Sequence, residues 1–210
     1  MAEFRVSLHP GQRAIHNSKA KYKVVAAGRR FGKSHLAAVE LILAALQTEH
    51  NGIPLTSQHE VYYVAPTFDQ GKRIMWPKLK QLGRFAHEGG LIEKVHENTG
   101  VVTLINGRQI SIKGTDKPDS LRGIGLSYVV LDEYADMKPN VWDEILLPAL
   151  MDVGGDALFI GTPRGKNHFY EKFQEALLDT SGEWEAFSFH SKDNPTRPEK
   201  EVQRLYNNPK

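Results

Sequence analysis

The chain has 210 residues, enough for one large α/β domain with a real core. Its 27 basic and 25 acidic side chains leave a formal net charge of +2, too small to identify a nucleic-acid partner by itself. With no cysteine, disulfides, thiolate-bound zinc and thiol catalysis are excluded; Leu36–Leu46, the longest apolar stretch, carries Glu40 and is too short to cross a bilayer.

No apolar signal segment is seen in Met1–Gln12. Pro10-Gly11 marks a turn, and Gln12 opens a short helical stretch. Val24–Ala27 is an apolar, partly β-branched run that reads as a buried strand. It passes through Gly28-Arg29-Arg30-Phe31-Gly32 into Lys33-Ser34 and a helical pattern from Ser34 to Leu46. Strand, tight loop and helix N-terminus are the setting of a phosphate-binding P-loop. Unpaired N–H groups and the positive end of the helix dipole favour an anion there. Lys33 is expected to reach the β- and γ-phosphates, and the Ser34 hydroxyl to ligand Mg²⁺. Gly32 lets the backbone close on the phosphates without a Cβ in the way. The pattern G-x-x-x-x-G-K-[ST] has Ala27 at its first position, so the turn is expected at Gly28 instead. Gln12 reads equally as a surface residue or as a ligand for the adenine N6/N7 edge, which suits an amide's donor and acceptor.

Thr48–Gln58 reads as a loop, and Glu60–Ala65 as a buried strand stopped by Pro66. Thr67 is placed to cap a helix from Phe68 to about Gly83, which Pro77 is expected to kink or split. Val101–Ile105 and Gln109–Ile112 alternate around Asn106-Gly107, a hairpin signal. Gly114–Gly125 is a polar loop holding Lys117, Ser120 and Arg122.

Leu126–Leu131 is a further buried strand that ends on Asp132 and Glu133. At a strand end the chain turns, so both carboxylates can face one site. Asp132 is then expected to hold hydrated Mg²⁺ and Glu133 to polarise the attacking water. Trp142–Leu150 reads as an amphipathic helix interrupted by Pro148, and Asp156–Ile160 as a strand. The polar loop Gly161-Thr162-Pro163-Arg164-Gly165 follows. A helix from Asn167 to about Leu178 and a strand from Trp184 to His190 complete the pattern. Ser191–Lys210 is polar, with a short helix expected at Glu199–Tyr206 and linker elsewhere. The nine histidines show no metal-ligand spacing, and no G-x-S-x-G elbow is present.

Taken together, these segments resemble the ATPase domain of a terminase large subunit, the DNA-packaging motor of tailed bacteriophages. The resemblance rests on Gln12, Gly28–Ser34, Val64-Ala65-Pro66-Thr67, Ser120-Leu121-Arg122-Gly123, Val129–Glu133 and Gly161–Gly165, and spans about Leu8 to His190. It implies an α/β P-loop NTPase fold of the ASCE/RecA-like class, with a mainly parallel central sheet flanked by helices. It implies a Mg²⁺-dependent ATPase over residues 1–190, with ATP and Mg²⁺ as cofactors. Residues 191–210 then form a linker toward a nuclease domain, and no nuclease activity is expected here. Gln12, Gly28, Arg29, Arg30, Phe31, Gly32, Lys33 and Ser34 are the implied nucleotide contacts, with Ser34 and Asp132 on the metal. Lys33, Glu133, Arg30 and Arg122 are the implied catalytic groups, and Gly161, Thr162 and Pro163 the coupling segment.

Arg122 resembles the family's arginine finger that reaches a neighbour's ATP. Its other reading is a salt bridge at the loop base, with Arg29 or Arg30 acting within the subunit instead. The implied partners are double-stranded DNA, the portal protein, the small terminase subunit and further copies in a ring, with a monomer when isolated and no membrane. The implied place is the portal vertex in the host cytoplasm. Lys113, Lys117, Arg164 and Lys166 are candidates for touching DNA. A helicase-like translocase fragment shares the upstream Gln, the P-loop and the acidic pair. A non-hydrolysing nucleotide switch is disfavoured by Glu133.

Overall fold

The computed structural model describes residues 6–122 and 125–196. The expected helix at Glu199–Tyr206, the linker beyond it and Gly123 lie outside the described residues. The elements in chain order are α1 (Pro10–Asn17), β1 (Tyr22–Ala27), α2 (Lys33–Leu46), β2 (Glu49–His50), β3 (Ile53–Pro54), β4 (His59–Ala65) and α3 (Phe68–Gly83). They continue with β5 (Ile92–His96), β6 (Val101–Leu104), β7 (Gln109–Gly114), β8 (Gly125–Asp132), α4 (Leu147–Met151), β9 (Asp156–Gly161), α5 (His168–Leu178) and β10 (Trp184–Phe189).

Eight strands form one sheet in the order β10-β1-β9-β8-β4-β7-β6-β5. The first six run parallel, and the β7-β6-β5 edge is antiparallel. The inner strands carry continuous apolar runs because both faces of the sheet are covered. Successive residues alternate between two cores. Val25 and Ala27 pack with α1, α2 and α3, through Ile15, Leu36, Leu41, Met75 and Leu79. Tyr22, Val24 and Ala26 pack on the other side with Trp142, Leu146, Phe169 and Ala176. All parallel strands therefore end at one edge of the sheet, where Ala27, Asp132 and Gly161 come together.

Several expectations change in detail. Pro10 and Gly11 are the first residues of α1 rather than a turn before it, with His9 as the N-cap. Pro is favoured there because its missing N–H is not needed. Thr48–Gln58 contains a small hairpin, β2–β3, turned by Asn51 and Gly52, both at positive φ. Thr67 caps α3 as expected, its hydroxyl accepting from the Gln70 N–H at 3.2 Å. Pro77 does not split α3, which runs unbroken from Phe68 to Gly83 with Pro77 on its exposed side. Before Pro148 the chain forms a π-turn, Trp142–Leu146, and α4 then starts with this proline in its first turn. A wider turn suits a residue that lacks an N–H and whose ring crowds the carbonyl four residues back. Strand β5 lies in a stretch with no strand expectation, on the outer edge beside β6.

Arg108, only 2 % exposed, joins the elements beneath this sheet. Its guanidinium donates to the Ala44 and Gln47 carbonyls at 2.6 and 2.9 Å, at the C-terminal end of α2. It also donates to the His59 carbonyl at 3.0 Å and to the Ser127 hydroxyl, where β4 and β8 begin. A cation is favoured at a helix C-terminus, where the carbonyls lack partners. Among the described residues no helix is long and apolar enough to cross a membrane. Arg108→Ala strands four acceptors at once. It is expected to lower the unfolding free energy by about 3 kcal/mol, read by urea denaturation. A loss below about 1 kcal/mol would show that water replaces the guanidinium without penalty.

Candidate active site at the parallel strand ends

The P-loop joins β1 to α2. Its left-handed residues are Arg30, at φ 66, and Gly32, at φ 105; Gly28 is not among them. The turn expected at Gly28 is thus made two residues later. Gly28 is needed for a different reason: a Cβ there would sit 2.6 Å from the Ser191 hydroxyl and 2.8 Å from its backbone nitrogen. A left-handed L-residue costs about 1–2 kcal/mol, so Arg30 is held in place by its surroundings.

Phe31 turns into the core, fully buried, stacked on Phe189 at 4.6 Å and edge-on to His9. It forms the wall behind the loop and does not face the cavity. Gln12 is also behind the loop. Its Oε1 accepts from the His9 N–H at 3.1 Å, and its Nε2 donates to the Gly32 carbonyl at 3.0 Å.

In front of the loop lies an open cavity of about 370 Å³. Arg29, Arg30, Gly32, Lys33, Ser34 and His35 line it from the loop and α2. Asp132 and Glu133 line it from the end of β8, Thr162 from the end of β9, and Ile74 and Lys78 from α3. The Lys33 ammonium donates to the Ala27 carbonyl at 2.7 Å, the Gly28 carbonyl at 3.3 Å and the Thr162 hydroxyl at 3.1 Å. Burial lowers its pKa, while the charges of Glu133 and Asp132 oppose the shift.

Asp132 is 3 % exposed and accepts from the Tyr63 hydroxyl of β4. Burial pushes its carboxyl up to about 6; the Tyr63 bond pulls it down, and the charge of Glu133 adds to the rise. Glu133, half-buried, has left-handed backbone, φ 54 and ψ 47, which turns the chain off the strand. Its carboxylate accepts from the Thr162 N–H at 3.5 Å. Thr162 therefore bonds to Lys33 through its hydroxyl and to Glu133 through its amide.

The remaining expected residues lie elsewhere. Gly161 ends β9 against Phe169, whose ring would lie 2.9 Å from a Cβ there. Pro163 lines a separate apolar cavity with Phe169 and Phe173. Arg164 forms an exposed ion pair with Asp136 at 2.8 Å, and Lys113 lies over the Tyr62 ring. Arg122 is exposed and lines a cavity with Gly125, Glu144 and Asp152, at the start of β8. The length of β8 separates it from Asp132 by roughly 20 Å, too far to reach that cavity. His35, Ile74 and Lys78 escaped sequence reasoning. Ile74 and Lys78 are four residues apart on one face of α3, a spacing that any amphipathic helix shows.

The family model for the N-terminal part of T4likevirus-type terminase large subunits matches residues 24–210. The terminase large subunits of Thermus virus P23-45 and Escherichia phage T5 are 33% and 26% identical, over 79% and 87% of this chain. The matches cover 36% and 39% of those proteins, so the chain spans little more than a third of their length. The large terminase ATPase domain of Thermus phage P74-26 superimposes with a TM-score of 0.75 at 28% identity, over 97% of this chain and 89% of that one. The HK97 bacteriophage large terminase shares the fold, with a TM-score of 0.74 at 12% identity, over 95% of this chain and 46% of that one. With a P-loop α/β fold, a match to the family model over nearly its whole length and these relatives, the chain belongs to the terminase large subunit family.

Proposed function

We propose that this chain is the ATP-hydrolysing part of a motor that drives double-stranded viral DNA into a procapsid. One observation carries the reading: Lys33, Thr162 and Glu133 form a hydrogen-bonded series across one cavity beside a P-loop. A phosphate-binding cation, a hydrolytic carboxylate and the segment between them are what coupled hydrolysis needs. Lys33, with Arg29 and Arg30 beside it, would hold the phosphates, and Glu133 would orient and deprotonate the attacking water. Gln12, 3 % exposed, braces His9 and Gly32 from behind the loop, so the adenine contact implied for it would require that bracing to rearrange.

Ser34 and Asp132 offer an oxygen-only donor pair on this cavity, which suits Mg²⁺. A divalent cation there would offset the burial that disfavours ionised Asp132 and neutralise phosphate charge. Gly161, Thr162 and Pro163 would pass the state of the phosphate site to neighbouring elements. Residues 1–190 would form the motor and 191–210 a linker onward. The partners would be DNA, the portal protein, the small terminase subunit and further copies in a ring at the portal vertex. The reading is tested by the ATPase rate with and without duplex DNA. Stimulation by duplex without strand displacement supports a packaging motor; unwinding would support the helicase-like alternative.

Lys33→Ala is expected to abolish nucleotide binding. Glu133→Gln should bind normally but turn over about 10²–10⁴-fold more slowly, because an amide cannot accept the proton. Titration calorimetry with steady-state kinetics separates the two; equal loss of affinity would contradict these roles.

Arg122, remote from its own cavity, would act on a neighbour's nucleotide, where an arginine finger is worth about 10³–10⁵ in rate. Arg122→Ala and Glu133→Gln, each inactive alone, should recover hydrolysis when mixed under assembly conditions. No recovery at any ratio would move the role to Arg29 or Arg30.

Asp132 has a folded pKa above its unfolded value, so the folded state holds the proton more tightly. Its contribution to stability is present below about pH 4 and lost as pH rises through about 6. In the nucleotide-free protein, Asp132→Asn should therefore be more stable than the parent at pH 8, by about 2–3 kcal/mol. The difference should vanish near pH 4, as read by urea denaturation across this range.

A further inference from the structure

Three successive carbonyls of the P-loop are each held by a side chain that does not line the cavity. The Gly32 carbonyl accepts from Gln12 Nε2 at 3.0 Å, and the Phe31 carbonyl from His9 Nε2 at 2.9 Å. The Arg30 carbonyl accepts from Asn194 Nδ2 at 2.9 Å. Two anchors come from the start of the chain, but the third comes from the segment that leaves β10. Asn194 is 5 % exposed, and its orientation is fixed from the other end. Its Oδ1 accepts from the Thr196 N–H at 3.0 Å and the Thr196 hydroxyl at 2.7 Å, so only the amide nitrogen can face Arg30.

The same segment meets the loop at two more points. The Gly28 N–H donates to the Phe189 carbonyl at 3.0 Å, and Ser191 fills the space where a Cβ of Gly28 would lie. The Arg30–Phe31 peptide is thus pinned at both ends, by Asn194 at its carbonyl and by the Gly28 carbonyl at its N–H, 3.3 Å away. That peptide follows the left-handed Arg30, a conformation an L-residue keeps only where its neighbours impose it. Carbonyls drawn to the back keep their oxygens away from an anion at the front of the loop.

We propose that Asn194 is a positioning residue for the phosphate cradle. It holds Arg30 in the left-handed conformation, and it links nucleotide binding to the seating of residues 189–196. This rests on the nucleotide-binding reading of the cavity. Linkage is reciprocal: if the segment braces the loop for phosphate, bound nucleotide must steady the segment by the same factor. The device needs no contact between Asn194 and the nucleotide.

Backbone hydrogen exchange on the full chain, with and without a non-hydrolysable ATP analogue and Mg²⁺, tests this. In the parent chain, bound analogue should slow exchange at residues 29–33 and also, at least threefold, at 189–196. Asn194→Ala and Asn194→Asp should both bind the analogue about tenfold more weakly. The aspartate keeps the acceptor for Thr196 but cannot donate to Arg30. At saturation both variants should retain protection at 29–33 and lose the added protection at 189–196, which a merely structural residue would not do. Protection at 29–33 with none at 189–196 in the parent overturns the proposal without needing any variant to fold. Parent affinity in either variant overturns it as well. No protection at either segment in the parent, with Lys33→Ala indistinguishable from it, instead overturns the nucleotide-binding reading and the proposal with it.

Discussion

A buried ammonium must be surrounded by acceptors, and this requirement at Lys33 organises the cleft. The side chain is 8 % exposed, and leaving it unpaired would be very unfavourable. It reaches the carbonyls of Ala27, the last residue of β1, and Gly28 in the loop, and the Thr162 hydroxyl, three weak acceptors for one full charge. An anion entering the cavity offers much stronger partners, so the contacts seen are of the kind that phosphate would displace. Of the three acceptors, Thr162 alone lies outside the β1–loop–α2 unit that carries Lys33. A change at Lys33 is therefore felt first at the end of β9.

Strand order explains why Thr162 holds that place. Neighbouring strands lie about 4.8 Å apart, so β1 and β8, with β9 between them, are separated by about 10 Å. A lysine at the start of α2 and a carboxylate at the end of β8 leave room between their backbones for a reacting phosphate and water. The chain at the end of β9 occupies the middle and touches both. The same order puts Arg122 at the far end of β8, remote from this cleft.

The inner strands were legible in the sequence because a strand buried on both faces must be apolar throughout. Tyr22–Ala27, Val61–Ala65 and Leu126–Asp132 are buried along their length. The ends of α3 and α5 were legible because Thr67 and Asn167 satisfy first-turn N–H groups from their own side chains. Strand β5 was not legible. It lies on the sheet's edge, and Glu93, Lys94 and His96 between its apolar residues carry no alternating signal. The loop's shape was misread for a different reason. Its left-handed residues are set by bonds to His9, Gln12 and Asn194, and no local pattern records a partner 164 positions away. Lys33, Ser34, Asp132, Glu133 and Thr162 were readable as one site because each follows a strand whose direction the sequence implied.

Glu133 combines two demands that pull apart. Its backbone is left-handed, a region where glycine and asparagine rest easily and a glutamate is strained. Its side chain is the carboxylate nearest the Thr162 amide, and neither glycine nor asparagine can take a proton from water there. If Glu133 acts on water as proposed, the residue that relaxes the turn would be the wrong one for hydrolysis, and the residue suited to hydrolysis keeps the turn under tension. On that reading, a selection for sturdiness alone, such as survival of heating, would drift toward Gly or Asn at this position and return a well-folded protein with a silent cleft.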